Sequence, residues 1–172
     1  MFVSGNKQLI KRYPFLLPRQ YHIDAPPDGY NYRWTELDSL PEGWCCAFGL
    51  EMVEDLREIL LSADYLNEYR IIAISIDFGC LCWFDNGYPK TIMKEMAAWE
   101  AKYRQRSAYT CVGCGKPATH IMLGWIMPFC EDCIKDVTDN PEQCPPPEEW
   151  YRPWIKKDTH KLLYRKYPRT LW

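Results

Sequence analysis

Residues 111–133, CVGCGKPATHIMLGWIMPFCEDC, decide the fold, because they contain two C-x2-C pairs separated by 15 residues. Each pair forms a tight turn that points two sulfurs at one site, and four thiolates satisfy the tetrahedral preference of zinc. Gly115 suits the turn by which the chain leaves the first pair. The spacing therefore predicts one structural zinc ion per chain, with the ligands Cys111, Cys114, Cys130 and Cys133.

Other uses of two cysteine pairs fit this spacing less well. An iron–sulfur cluster also accepts four cysteines, but two close pairs favour zinc, and a redox dithiol needs only one pair. Four sulfur ligands leave no position for a reactive water, so the predicted site is structural. Between the pairs, residues 120–123 and 125–127 predict two short strands around Gly124, as in a zinc ribbon.

The residues before the cysteine pairs predict two amphipathic helices. Ser39-Leu40-Pro41-Glu42 has the pattern of a capping box, and the helix that follows extends to about Ser62. We expect its apolar side in the core and its acidic side in solvent: Met52, Val53, Leu56, Ile59 and Leu60 on the first, Glu51, Glu54, Asp55 and Glu58 on the second. A second helix spans about Pro89 to Arg106, with a core stripe of Ile92, Met96, Trp99 and Tyr103.

β-Branched and aromatic residues predict a β-hairpin between the two helices. Its strands are 69–76 and 80–84, and a glycine occupies the turn Asp77-Phe78-Gly79. Alternation along the first strand predicts two faces, Ile72, Ile74 and Ile76 on one and Ile71, Ala73 and Ser75 on the other. Cys80 and Cys82 face one side of the second strand, and we expect them to be small core residues rather than a second metal pair.

These elements divide the chain into five segments. An extended, aromatic-rich segment covers 1–38, where prolines interrupt regular structure, and a helix–hairpin–helix body covers 39–108. The zinc-ribbon module covers 109–136, a proline-rich linker 137–149, and a basic aromatic tail 150–172. The predicted fold class is α+β: two helices packed on a β-hairpin or small antiparallel sheet, followed by a zinc ribbon.

Composition and charge restrict the class of protein. The chain is 47% apolar and 15% aromatic, which suffices for a packed core, and no run approaches the roughly 18 apolar residues of a membrane helix. Nine cysteines without a secretory signal favour metal ligands over disulfides and predict a cytoplasmic protein. Residues 1–20 carry a net charge of +4, residues 21–151 carry −12 and residues 152–172 carry +6. The middle should therefore repel nucleic acid, and the ends should attract it.

The remaining side chains do not predict an enzyme. His22, His120 and His160 lie in three different segments, and each lacks a partner at a spacing diagnostic of catalysis or metal binding. The sequence has no P-loop, dinucleotide-binding or nucleophile-elbow motif. Of the other cysteines, Cys45 and Cys46 should pack at the start of the first helix. Cys144 should be exposed in the linker.

The tail 150–172 combines aromatic and basic side chains, with a short helix expected near 154–164. Aromatic rings stack on bases and cations follow phosphates, so such a tail can bind single-stranded nucleic acid. The same composition suits docking on the acidic body or binding of a protein partner through Trp and Arg. The candidate partner-binding residues are Trp150, Arg152, Trp154, Lys157, Arg165, Lys166, Arg169 and Trp172.

Several motifs follow one another in a recognisable order between Glu36 and Cys133. They are Gly43-Trp44, Tyr69-Arg70-Ile71, Phe78-Gly79-Cys80-Leu81-Cys82-Trp83-Phe84 with Asp85-Asn86-Gly87, Cys111-x-x-Cys114-Gly115, and Gly124-Trp125. This order resembles a group of uncharacterised small proteins of bacteriophage and prophage genomes. The resemblance implies a phage-type protein in the cytoplasm of a bacterial host and brings no agreed activity. Family members carry basic residues around the hairpin turn, whereas this chain has Ser75, Asp77 and Cys82, so a phosphate-binding hairpin is not expected.

The function expected from the sequence is that of a non-enzymatic, zinc-stabilised phage-type protein that binds a host or phage protein. Inhibition of a host defence system, in an anti-CRISPR-like or other anti-defence role, fits a small phage protein without a catalytic set, by analogy. The alternative is a nucleic-acid-binding accessory protein that acts through its tail.

Overall fold

The computed structural model describes residues 3–20 and 23–155 of the chain. It is a mixed α and β fold with two small antiparallel sheets, which confirms the predicted fold class. The helices are α1 (Val3–Arg12), α2 (Glu42–Trp44), α3 (Leu50–Ser62), α4 (Met93–Ala108), α5 (Glu131–Ile134) and α6 (Pro147–Ile155). The strands are β1 (Ile71–Asp77), β2 (Cys80–Asp85), β3 (His120–Met122) and β4 (Met127–Phe129), paired as β1–β2 and β3–β4.

The N-terminal segment differs most from its prediction. It was expected to be extended, but it contains α1 and two short 3-10 helices, Pro14–Leu16 and Glu36–Ser39. The prolines of this segment begin only at Pro14, so they end the helix after Arg12 without preventing it. Lys11 and Arg12 lie in the last turn of α1, where their positive charges stabilise the helix by interacting with its dipole.

The first body helix ends at Ser62 as predicted, but the predicted capping box is wrong. α2 and α3 are joined by a π-helical turn, Cys45–Gly49, and the capping box lies one element earlier, at Thr35 and Asp38. The carboxylate of Asp38 accepts hydrogen bonds from the backbone N–H of Thr35 (2.7 Å) and from its hydroxyl (3.0 Å). Ser39 is the last residue of that 3-10 helix, so it is not available to cap α2.

The acidic face of α3, expected in solvent, instead binds other elements. Asp55 accepts hydrogen bonds from the Tyr103 hydroxyl (2.6 Å) and the Lys102 ammonium (2.7 Å) of α4. Two further acids are paired as Glu51 with Lys102 and Arg106, and Glu54 with Arg12 and Tyr13. Exposed pairs contribute at most about 1 kcal/mol each, so their main effect is to orient α1 and α4 against α3.

The predicted core is largely confirmed, with one correction in the hairpin. Ile92, Met96, Trp99 and Tyr103 are all buried, as are Met52, Val53, Leu56 and Leu60. β1 and β2 pair as expected, but the register shifts between Ile71 and Ala73, which inserts one extra residue. Ile72 is therefore 50% exposed, while Ile71 is buried and Ile74 packs against the core. The prediction that Ile72 shares the face of Ile74 is wrong.

Two cysteines outside the metal candidates follow their predictions and three do not. Cys80 is buried and Cys45 packs against the core. Cys82, expected to be buried in the core, is only half-buried. Cys46 is exposed rather than packed. Cys144 is half-buried against the core rather than exposed, because the proline linker folds back on the ribbon.

A buried polar network lies where β2 ends. The Tyr69 hydroxyl donates to the Asp85 carboxylate (2.7 Å) and accepts from the indole N–H of Trp83 (2.9 Å). Burial, together with the charge of Asp85, raises the pKa of the Glu100 carboxyl on α4 to about 7, and a hydrogen bond with Tyr88 opposes this shift. Near pH 7, Glu100 is therefore about half protonated, whereas it would be ionised in the unfolded chain.

We predict that Glu100→Gln stabilises the protein at alkaline pH. The pKa of Glu100 is about 7 in the folded state and near 4.5 in the unfolded chain. The free energy of unfolding of the wild type should therefore fall as the pH rises from 4.5 to about 7. Glutamine does not ionise, so the variant should exceed the wild type by about 1–2 kcal/mol at pH 8 but not at pH 4, after allowance for solvent exposure. Urea unfolding across this range measures the effect.

The matched control is Glu95→Gln, at an exposed position of the same helix. It should leave the pH dependence of the unfolding free energy unchanged. Identical pH profiles for Glu100→Gln and the wild type would contradict a proton held at Glu100.

Candidate metal centre

The fold brings the four predicted cysteines together. The Sγ atoms of Cys111, Cys114, Cys130 and Cys133 all lie within 4.8 Å of one another. Cys111 and Cys130 are buried, Cys133 is half-buried and Cys114 is exposed, so the cluster lies at the edge of the core with one side open to solvent. Four thiols at this separation can hold a metal ion with sulfur ligands.

Two tight turns place the sulfurs. In the first, the backbone N–H of Gly115 donates to the carbonyl of Cys111 (3.0 Å), and that of Cys111 donates to the carbonyl of Lys116 (2.8 Å). Gly115 has a φ of +78°, a conformation that glycine adopts without steric cost. In the second turn, Cys130 caps α5, and its sulfur accepts a hydrogen bond from the backbone N–H of Cys133 (3.5 Å).

The ribbon strands join the two turns. β3 and β4 pair in the register His120 with Phe129 and Met122 with Met127, which confirms the two short strands predicted around Gly124. The backbone N–H of Val112, in the first turn, donates to the carbonyl of Pro128 in β4 (3.0 Å). The β4 strand leads directly into Cys130, so this bond fixes the first cysteine pair beside the second.

Hydrogen bonding within the cluster favours a thiolate at Cys130. Burial raises the pKa of this thiol, but hydrogen bonds from the backbone N–H of Cys133 and from the neighbouring thiols lower it to about 7. Hydrogen bonds with Cys114 and Cys130 raise the pKa of the Cys133 thiol. Metal ligation requires thiolates, so binding must displace the protons that remain, and the affinity should rise with pH.

The first cysteine turn is hydrogen-bonded to α2, at the start of the first body helix. The backbone N–H of Gly43 donates to the carbonyl of Val112 (2.9 Å), and the Trp44 indole N–H donates to the carbonyl of Thr110 (2.8 Å). Trp44 and Cys111 are both fully buried and belong to the same hydrophobic core. The metal module and the body therefore share one interior.

Two glycines make this contact possible. A Cβ built on Gly43 would lie 2.6 Å from the backbone nitrogen of Gly115 and 2.8 Å from that of Cys114. A Cβ on Gly115 would in turn lie 2.6 Å from the carbonyl oxygen of Gly43. Real Cβ atoms do not approach backbone atoms so closely, so both positions require glycine. The motif Gly43-Trp44 was visible in the sequence, but its partner across the fold was not.

The structure describes the linker and the first part of the tail. The linker is tied to the ribbon by a hydrogen bond from the backbone N–H of Ile121 to the carbonyl of Pro145 (2.8 Å). α6 begins at Pro147, earlier than the predicted helix near 154–164. Among the candidate partner-binding residues, Trp150 is half-buried and Arg152 and Trp154 belong to α6. The others lie outside the described residues, namely Lys157, Arg165, Lys166, Arg169 and Trp172.

Comparisons with known proteins do not assign the chain to a family. No family model, curated protein or solved structure matches it. The resemblance to small phage proteins therefore remains a prediction from the order of the motifs. Within residues 3–20 and 23–155, no helix is both long and apolar enough to cross a membrane.

We predict that Gly43→Ala disrupts both the body helix and the metal centre. The added methyl group overlaps backbone atoms of the first cysteine turn, so one of the two elements must move. The cost should be about 2–4 kcal/mol in the free energy of unfolding, comparable to other overpacked core sites, together with weaker metal binding. Chemical unfolding and a competition assay against a chromogenic chelator measure the two effects.

Gly124→Ala is the matched control, because a Cβ on Gly124 meets no atom within 4 Å. This variant should retain metal affinity and lose little stability. Equal metal affinity and equal stability for Gly43→Ala and Gly124→Ala would contradict the contact.

Proposed function

We propose that the four cysteines hold one structural zinc ion and that the chain is a non-enzymatic protein that binds another protein. The observation that carries the proposal is the cluster of four sulfurs within 4.8 Å, built from two C-x2-C turns and bonded to the body core. Zinc accepts four thiolates in tetrahedral geometry, and the paired spacing favours zinc over an iron–sulfur cluster.

The arrangement of ligands supports a structural role for the ion. Four sulfurs fill the tetrahedral positions of zinc, so a bound ion would have no place for the water or substrate that a catalytic zinc activates. A zinc ion at this position would hold the first cysteine turn against Gly43 and Trp44 and so stabilise the body helix. Most of the binding free energy would then appear as folding free energy.

The charge of the described residues supports a protein partner over nucleic acid. Residues 3–20 and 23–155 contain 15 Lys and Arg against 22 Asp and Glu, a net charge of −7. Four thiolates around one zinc ion would add about two negative charges. A surface of this sign repels phosphates. A phage origin is proposed from the order of motifs described above, and a role as an inhibitor of a host defence protein is proposed by analogy with small phage proteins that lack a catalytic set.

We predict one zinc ion per chain in native mass spectrometry of the purified protein. Cys114→Ser should lose the ion and destabilise the fold, because a structural zinc site contributes directly to folding. Cys46→Ser is the control, since Cys46 is an exposed cysteine outside the cluster, and it should retain one zinc. A metal-free wild-type chain that stays folded would overturn the zinc assignment.

We also predict that affinity purification of the tagged full chain from a bacterial lysate, prepared without nuclease, recovers a defined protein complex that persists at high salt. Nucleic-acid binding through the six Lys and Arg of residues 156–172 would behave differently. Its affinity for single-stranded nucleic acid should fall by about three hundredfold between about 50 and about 200 mM salt. Recovery of nucleic acid alone, lost on raising the salt concentration, would favour that alternative and contradict a protein partner.

A further inference from the structure

The turns of the two hairpins lie against each other. A Cβ built on Gly79, in the β1–β2 turn, would lie 3.0 Å from the carbonyl oxygen of Ile126 in the β3–β4 turn. Tyr151 of α6 fixes this arrangement, because its hydroxyl donates to the carbonyl of Phe78 (3.1 Å) and its ring packs on that of Tyr109 with centroids 6.0 Å apart. The body hairpin and the ribbon thus present their turns side by side.

Large apolar side chains are exposed on both turns. Phe78 is 62% exposed, Trp125 is 77% exposed and Leu123 is 46% exposed. Phe78 and Trp125 are each next in sequence to a residue of the contact between the turns, Gly79 and Ile126 respectively. We call these three side chains, Phe78, Leu123 and Trp125, the hairpin-tip patch. Apolar patches shared between elements mark interaction sites more often than single exposed residues do.

The backbone of the turns argues against a purely structural reason for these residues. Phe78 and Gly79 form a two-residue loop with φ of +49° and +77°, a geometry that normally selects asparagine followed by glycine. Ile126 also has a φ of +49°. A left-handed conformation costs about 1–2 kcal/mol for such residues. Asparagine at position 78 would therefore give a more stable turn than Phe78 does. The presence of phenylalanine there indicates a role other than folding.

The chain segments that carry the patch are acidic. Residues 109–155 contain three Lys and Arg against seven Asp and Glu, a net charge of −4. At the β1–β2 turn itself, Asp77 adds a further acid next to Phe78. Asp77 keeps 43% exposure and is only loosely paired with Arg104 (3.7 Å). Complementary charge across an interface therefore requires a basic partner.

We propose that the hairpin-tip patch binds the protein partner, through a segment of that partner with apolar side chains flanked by lysine and arginine. This inference rests on the proposed function and names the surface and the chemistry of its ligand. Trp125 would be the central anchor, since tryptophan is the residue type most enriched at binding hot spots. The candidate residues of the tail are then not required for this contact.

A library of random dodecapeptides displayed on phage, panned on the zinc-loaded full chain, tests the proposal. Enriched peptides should combine aromatic or aliphatic residues with lysine and arginine. Synthetic copies should bind Trp125→Ser and Phe78→Asn about thirtyfold more weakly than the wild type, the loss typical of hot-spot residues. Phe78→Asn should fold at least as well as the wild type, because asparagine suits the turn, so its loss of binding would not reflect unfolding.

Leu61→Ser is the control, because Leu61 is a comparably exposed apolar residue on α3. It should bind the peptides as the wild type does. Acidic consensus peptides, equal binding to Phe78→Asn and wild type, or no enrichment would each overturn the proposed surface. Self-association that Phe78→Asn abolishes would assign the patch to a second copy of the chain and would also overturn the proposal. Competition for the patch between a synthetic 156–172 peptide and the same segment of the chain would assign the patch to that segment, with the same consequence.

The two proposals fail separately. If a salt-tolerant protein complex is recovered and survives Phe78→Asn and Trp125→Ser, the patch assignment is wrong and the proposed function stands. If that purification recovers no protein partner, the proposed function fails whatever the peptides show.

Discussion

The close backbone contact between Gly43 and the first cysteine turn is the constraint on which the rest of the fold depends. The helix that begins at Glu42 has no side-chain cap, and the N–H of its second residue is bonded to Val112 instead. The cysteine turn thus satisfies one of the donors that a helix start leaves unpaired. Because the backbone of Gly43 in α2 lies directly against the backbone around Gly115 in the cysteine turn, the contact tolerates no added side chain.

Burial of Trp44 extends this contact into the interior. Its ring packs on Phe48, which packs on Tyr103 of α4, so the cysteine turn, the first body helix and α4 meet in one aromatic cluster. The acids of α3 then fix α1 and α4 from the outer side through pairs with Arg12 and Lys102. A metal ion at the cysteines would therefore stabilise more than the ribbon, since the first cysteine turn packs directly against the core.

Sequence reasoning succeeded where the signal is local. The spacing of the cysteines, the β-branched hairpin and the stripe from Ile92 to Tyr103 each depend on residues close in sequence, and the structure confirms them. Prediction failed where contacts between residues far apart in sequence determine the structure. The start of α2 is set by Val112, the acids of α3 meet partners about 40–50 residues away, and a register shift turns Ile72 outward. The prolines from Pro14 onward do not exclude helix α1, because a proline restricts only itself and the residues next to it.

The proposed function follows from how the metal module and the body are joined. A metal ion held by the four sulfurs would fix the first cysteine turn against Gly43 and Trp44, and the two hairpin turns that carry Phe78 and Trp125 lie side by side in the same fold. Hydrogen exchange of backbone amides, measured before and after removal of the metal with a chelator, tests this coupling most directly. We expect the amides of α3 and α4 to lose protection together with those of the ribbon. Loss of protection in the ribbon alone, with α3 and α4 unchanged, would contradict the account.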